Sequence, residues 1–193
     1  MYELLIKSLS AHVTLTPGEA DIISSLFVSR RYRKRQFILQ EGDITRYETF
    51  IVKGITRTYE LDEKGQEHVV QFGPEGWWAG DLYSFLSNMP SLYNIDCLED
   101  TEVLQITREN HELLYNLVPK MERHFRILIQ NAFIASTRRV ASSLAKSATE
   151  RYELFKATYP QIELRVPNHQ VASYLGITPQ SLSRMRAKTA AAS

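Results

Sequence analysis

The stretch Pro167-Asn168-His169-Gln170-Val171-Ala172-Ser173-Tyr174-Leu175-Gly176-Ile177-Thr178-Pro179-Gln180-Ser181-Leu182-Ser183-Arg184-Met185-Arg186 decides how the chain is read. It predicts two short helices joined by a tight turn. Asn168 is expected to cap the first helix, its side-chain oxygen accepting a free backbone N–H. Gly176 suits the stop, because a left-handed residue costs glycine little. Thr178 can cap the second helix, with Pro179 at the first position, where no N–H is missed. Val171, Leu175, Ile177, Leu182 and Met185 supply buried contacts, and small Ala172 suits a close crossing. Gln180, Ser181, Arg184 and Arg186 are left outside on the second helix. This is the pattern of a helix-turn-helix, whose second helix enters a DNA major groove. An ordinary helical hairpin with a solvated outer face is the plainer alternative.

Charge supports the DNA reading. The chain has 193 residues and a net charge of +1. From Arg138 to Lys188 there are nine Lys or Arg against three Asp or Glu, whereas the residues before Arg138 carry fourteen basic and nineteen acidic groups. A basic module for a polyanion thus follows an acidic module with another task. The single cysteine, Cys97, excludes an internal disulfide, and also a zinc or iron–sulfur site built from this chain's thiolates alone. No apolar run approaches a membrane span, and Met1-Tyr2-Glu3-Leu4-Leu5-Ile6-Lys7 does not read as an export signal. A cytoplasmic protein with no membrane partner is expected.

Ahead of the basic module, Thr16 and Glu19 have capping-box spacing around Pro17, and Ile22, Ile23, Leu26 and Phe27 continue as one apolar face. Arg30-Arg31-Tyr32-Arg33-Lys34-Arg35 reads as a charged edge strand in preference to a nucleic-acid patch. Strand signals recur from Phe37 to Ile106, with turns at Glu41-Gly42-Asp43, Lys53-Gly54, Asp62-Glu63-Lys64-Gly65 and Gly73-Pro74-Glu75-Gly76. Short strands so spaced predict a β-sandwich, roll or jelly roll. After Pro119 the period turns helical. Met121, Phe125, Leu128, Ala132 and Ala135 step by four and three, as in a coiled-coil seam. That stripe packs either on its own roll or on a second copy; a symmetric dimer is the expectation, since it also suits the helix-turn-helix. A second helix is expected from Arg138-Arg139-Val140-Ala141. Tyr152, Leu154, Phe155 and Tyr159 are candidates to pack beneath the reading helix.

A β-roll, a long helix and a helix-turn-helix in that order resemble the Crp/Fnr regulators, those related to the cyclic-AMP receptor protein and the fumarate–nitrate reduction regulator. The resemblance rests on Gln40-Glu41-Gly42-Asp43, on Val52-Lys53-Gly54, on Gln71-Phe72-Gly73-Pro74-Glu75-Gly76-Trp77-Trp78-Ala79-Gly80-Asp81-Leu82 and on the C-terminal helix pair. It implies an α+β protein: a jelly-roll-like, cyclic-nucleotide-binding-type β-roll effector domain over residues 1–118, a dimerisation helix over 119–137 and a winged-helix-like reader over 138–193. It further implies a homodimeric bacterial transcription factor with RNA polymerase as partner. The family's recognition arginine falls on Arg184 and an earlier base-reading position on Gln180, with Ser181 beside them. Asn168, His169, Gln170, Thr178, Ser183, Arg186 and Lys188 are then candidates for phosphate contacts.

The effector side departs from the family. A cyclic-nucleotide cassette wants a Gly-Glu-Leu-type start and an Arg-Ser or Arg-Thr pair, because a buried phosphate needs a cation and N–H or O–H donors. Gly80-Asp81-Leu82 keeps the start, but Ser91-Leu92-Tyr93 stands where the arginine belongs, and no basic residue lies between Gly80 and Arg108. These six residues are the candidate effector pocket, for an unidentified small molecule other than a cyclic nucleotide. Trp77-Trp78 could line an apolar pocket, although core packing is the simpler reading. The alternatives are a cyclic-nucleotide-responsive regulator with a divergent pocket, or a cupin-like metal-dependent enzyme. The latter is disfavoured because the five histidines show no ligand spacing. No cofactor or resident metal is expected.

Overall fold

The structure is a computed structural model that describes residues 1–191, with side chains described to residue 187. The helices are α1 (Tyr2–Leu9), α2 (Pro17–Leu26), α3 (Leu82–Ser87), α4 (Arg108–Leu117), α5 (Lys120–Ala145), α6 (Ala148–Thr158), α7 (Ile162–Arg165), α8 (Asn168–Leu175) and α9 (Pro179–Ala191). The strands are β1 (Val28–Tyr32), β2 (Phe37–Leu39), β3 (Tyr47–Lys53), β4 (Thr56–Leu61), β5 (Glu67–Gly73), β6 (Trp78–Ala79), β7 (Asn94–Cys97) and β8 (Thr101–Thr107). One sheet runs β1-β8-β3-β6 and the other β2-β7-β4-β5. The chain separates into two compact units, Met1–Thr58 with Phe72–Ala132, and Tyr59–Gln71 with the residues from Phe133 onward.

Local chemistry accounts for the element ends. Thr16 accepts from the Glu19 N–H at 3.3 Å and Glu19 accepts in return from the Thr16 N–H at 2.7 Å, a complete capping box at α2. Bonds from Lys120 and Thr16 hold the Glu19 carboxyl down at about 2. Between β3 and β4 the chain passes from one sheet to the other through Gly54, at φ 98°. A Cβ there would meet Thr101 Oγ1 at 2.6 Å and the Asp100 carbonyl at 2.9 Å, so only glycine fits. The start of the basic run, Arg30-Arg31-Tyr32, does lie in an edge strand: among the described residues β1 is the end strand of its sheet, beside β8, and its arginines are exposed.

In the first unit the strand period sorts side chains into two cores. Ile51 and Val103 point into the roll with Leu39, Ala79 and Ile95. Phe50, Leu104 and Ile106 point the other way, onto a helical layer of Leu5, Leu9, Ile23, Leu26, Leu114, Val118, Met121 and Phe125. Trp78 belongs to this second core: its ring centroid lies 5.2 Å from that of Phe50 and 5.5 Å from that of Phe125. Inside the roll, Arg57 on β4 holds Asp96 on β7 through two bonds, Nε at 2.8 Å and Nη2 at 3.0 Å.

Two sequence expectations change. The helix expected to begin at Arg138 is the second half of α5, which is continuous because no glycine or proline interrupts Lys120–Ala145. Met121 and Phe125, placed on the seam by their spacing, are 0% and 3% exposed in the helical core, and Leu128 packs against it. The same α5 turn carries His124, 2% exposed, with its ring centroid 5.4 Å from that of His12. Burial, with the His12 ring beside it, pushes the His124 pKa down to about 4, against a carbonyl contribution from Leu9.

This depressed value makes stability pH-dependent. As pH falls below about 6.5 the unfolded chain takes up a proton that the folded chain resists until about pH 4. Stability present above that window is therefore lost across it, by up to about 3 kcal/mol. Urea unfolding from pH 7 to pH 4 should show this loss, and His124→Leu should flatten it; an equally steep loss in the variant would assign it to other groups.

Candidate nucleic-acid interface

The reading module lies in the second unit and is built on aromatic packing. Ser147 and Glu150 form a capping box at α6, which presents buried Tyr152 and Phe155. Phe155, Tyr159 and Tyr174 form a ring cluster with centroids 5.4 to 5.8 Å apart. Ile162, Val166, Val171, Ala172, Leu175 and Leu182 close the core, whereas Leu154 is 45% exposed and faces away from it.

The elbow between α8 and α9 is set by Gly176, at φ 64° and ψ 39°. The Ile177 N–H reaches back to the Ala172 carbonyl at 3.0 Å, the long bond of a Schellman stop. Thr178 Oγ1 then accepts from the Ser181 N–H at 3.2 Å and caps α9. One α9 face buries Leu182 completely, with Met185 half-buried, and the other exposes Gln180, Ser183 and Arg184. Gln180 and Arg184 are four residues apart and so project from the same side. Arg184 Nη2 lies 3.4 Å from the hydroxyl of half-buried Ser181, which joins the three side chains in one polar surface.

The predicted phosphate contacts separate into two groups. His169, Thr178 and Ser183 are exposed. Gln170 is only 8% exposed, because its place on α8 turns it into the module with Val171. Arg186 is half-buried and committed to its own fold. It ion-pairs with Glu163 at 3.3 Å, donates to the Glu163 carbonyl at 3.2 Å and binds the Asn168 side-chain oxygen. Tyr152 donates its hydroxyl to the same Glu163 carboxylate. Asn168 is therefore not the cap of α8: it is the first helical residue, after Pro167, and its oxygen serves Arg186. Sequence reasoning missed Glu163, although an acid within reach of a helix arginine is the signal that would have found it. The Lys188 side chain lies outside the described residues.

The candidate effector pocket is assembled differently from expectation. Gly80-Asp81-Leu82 and Ser91-Leu92-Tyr93 do come together, through Asp81 and Ser91, whose side chains meet at 2.8 Å. Asp81 is the cap of α3, a helix that the sequence reading passed over. Ser91 is 1% exposed, whereas Leu92 is 61% exposed. A groove of about 400 Å³ lies elsewhere in the first unit, along Tyr115, Phe125, Arg126 and Ile129. Among the described residues no group of three His, Cys, Asp or Glu is placed to hold a metal, and His68 and His111 each face one carboxylate, Asp62 and Glu48, at 3.0 Å. No helix among the described residues is long and apolar enough to cross a membrane.

Comparison with known proteins agrees with this architecture. Residues 29–116 match the family described as "Cyclic nucleotide-binding domain". The regulatory protein HlyX of Actinobacillus pleuropneumoniae is 23% identical over 93% of this chain and 79% of its own length. The cyclic AMP receptor protein of Thermus thermophilus is 24% identical over 89% of this chain and 81% of its own. Among solved structures, FixK2 of Bradyrhizobium japonicum superposes with a TM-score of 0.75 at 20% identity, covering 84% of this chain and 83% of that one. The regulator CLP of Xanthomonas campestris gives 0.71 at 16% identity, with 91% and 92% covered. With residues 29–116 matched to that domain and relatives aligned over most of the chain, the protein is similar, through both roll and helix-turn-helix, to regulators of the Crp/Fnr type.

Proposed function

We propose that the chain is a sequence-specific DNA-binding transcriptional regulator that acts as a homodimer on a near-palindromic site. The observation that carries this is the division of α9, with Leu182 sealed beneath and Gln180, Ser181 and Arg184 together above. An arginine at this point can bond bidentately to guanine O6 and N7, and a glutamine to adenine N6 and N7. His169, Thr178 and Ser183 surround them as phosphate contacts that set register. Gln170 and Arg186 serve the shape of the reader instead. Residues 1–118 act as the sensor and residues 138–193 as the reader. RNA polymerase is the downstream partner, and the cytoplasm is the site of action.

The dimer seam lies further along α5 than the apolar spacing first suggests. Past the buried Met121 and Phe125, the helix leaves Phe133 72%, Val140 59% and Leu144 85% exposed, with Ile129 43% exposed one turn earlier. Steps of four, seven and four keep them on one face. A second copy of the same helix is the occupant that this stripe fits, because two readers related by a two-fold axis are what half-sites about 10 bp apart require. The effector is not a cyclic nucleotide, since no basic residue lies between Gly80 and Arg108 to pair with its phosphate.

Binding to duplex DNA, followed by anisotropy against salt, should give a steep negative log–log slope, about −0.9 per phosphate neutralised. A flat slope on every duplex would end the DNA reading. Arg184→Ala should relax base choice at one position in each half-site, costing about 1–3 kcal/mol of discrimination there. Retained discrimination across single-base variants would remove Arg184 from base reading.

Phe133→Asp should dissociate the dimer. Losing two buried phenyl groups costs roughly 3–6 kcal/mol, so the dimer dissociation constant should rise at least ~100-fold. Sedimentation velocity reads this directly, and an unchanged dimer would place the seam on another face.

A further inference from the structure

The reading module sets a carboxylate against one of its own basic side chains. Glu163 on α7 has its Oε1 3.3 Å from Arg186 Nε, and its main-chain carbonyl accepts from Arg186 Nη2 at 3.2 Å. Arg186 Nη1 donates to the side-chain oxygen of Asn168. Each nitrogen of this guanidinium thus faces an oxygen of the protein. The carboxylate is held in turn by the hydroxyl of Tyr152, a residue 2% exposed, which donates to the same Oε1. Burial, with Glu163 as the acceptor, pushes the Tyr152 pKa up, so the hydroxyl keeps its proton. Glu163 cannot swing away without leaving that buried donor unpaired. The ion pair itself is not sealed: the Arg186 and Glu163 side chains are 24% and 25% exposed.

Asn168 is the first residue of α8, Pro167 before it offers no side-chain cap, and His169 beside it is exposed. The first helix of a helix-turn-helix crosses the DNA backbone, and uncapped N–H groups at a helix start favour phosphate. An arginine at this end of α8 is placed to neutralise a phosphate, yet its charge is already matched by Glu163. Turning to the backbone would leave the Glu163 carboxylate uncompensated and close to a phosphate of like charge. We propose that Glu163 is a brake on DNA affinity: its carboxylate stands in for a phosphate on Arg186 and withholds that cation from the duplex backbone. Backbone contacts strengthen every duplex alike, whereas base contacts discriminate. The brake therefore lowers binding to all sequences by one factor and leaves the choice made by Gln180 and Arg184 untouched. This deepens the reading of α9 as a DNA reader and rests on it.

The test follows duplex binding by the full chain against salt, on a duplex that wild type selects from a random pool and on an unselected one. Glu163→Gln keeps an oxygen for the Tyr152 hydroxyl and removes the charge. It should steepen the log–log slope by about 0.9 for each reader engaged, and tighten both duplexes by the same factor, about tenfold near 0.1 M salt. Arg186→Gln alone should leave the wild-type slope unchanged, because no phosphate contact is lost, and the double variant should return to that slope. An unchanged slope in Glu163→Gln, or a shallower one in Arg186→Gln, would overturn the proposal. So would a change in discrimination between the two duplexes, which would assign Glu163 to the orientation of α9 alone. Should Glu163→Gln fail to fold, the Arg186 Nε–H resonance of wild type decides: added duplex should leave it in place, and a shift as large as that of Arg184 would overturn the proposal. A flat wild-type slope ends the DNA reading and this inference with it, whereas a steep wild-type slope that Glu163→Gln does not alter ends this inference alone.

Discussion

The left-handed residue at Gly176 is the constraint on which the reading surface depends. A right-handed residue there would let α8 run on toward Pro179, and the turn that separates the two helices would be lost. With φ at 64° the chain instead turns back, the Ile177 N–H satisfies the Ala172 carbonyl, and Thr178 is delivered to the start of a new helix. Only then can Leu182 enter the same core as Val171 and Ala172. Burial of Leu182 fixes the rotation of α9 about its axis, and that rotation is what leaves Gln180 and Arg184 outward. A backbone torsion is thus converted into the direction in which a guanidinium points.

Arginines on one helix do not share one role. Arg184 and Arg186 are two residues apart, about 200° around the axis, so they face different surroundings. Arg184 meets solvent and the Ser181 hydroxyl. Arg186 meets Glu163, itself bonded by Tyr152, and Asn168 on α8. The second arginine ties α9 to α7 and α8 by charge-assisted bonds, which hold the helix against rotation about Leu182. The first stays on the exposed side, and on the proposed reading it would meet a partner without ordering the module around it.

What the sequence made legible was mostly local. Thr16 with Glu19, Gly176, Thr178 and the Asp62–Gly65 turn are short-range chemistry, and each does in the structure what its residue type implies. Strand and helix periods located the roll and the C-terminal helices for the same reason. Partner choice was not legible. The spacing of Met121, Phe125 and Leu128 states that one face of α5 is apolar, but nothing in a period says whether Phe50 and Leu104 or a second chain will cover it. Gln170 was misplaced because a polar residue on a short amphipathic helix looks solvated until the neighbouring helices are positioned. The short α3 escaped notice because six residues leave no period to count, although Asp81 before Leu82-Tyr83-Ser84 was a readable cap.

The change of partner along α5 has a consequence for how such a helix is built. Its first turns are held by the roll's core through Met121, His124 and Phe125, all nearly sealed. Its later turns expose Phe133, Val140 and Leu144, side chains that cost free energy while they face water. On the proposed dimer, a helix anchored at one end would already be formed when a second copy arrives, so little conformational entropy would be lost in pairing. Had Met121 and Phe125 belonged to the seam, the roll would have lost part of its helical layer to the interface, and folding of each chain would have depended on its partner. Splitting the apolar stripe between an inner and an outer partner separates the two processes. On the proposed dimer, each chain would fold first and pair afterwards through the stripe that remains.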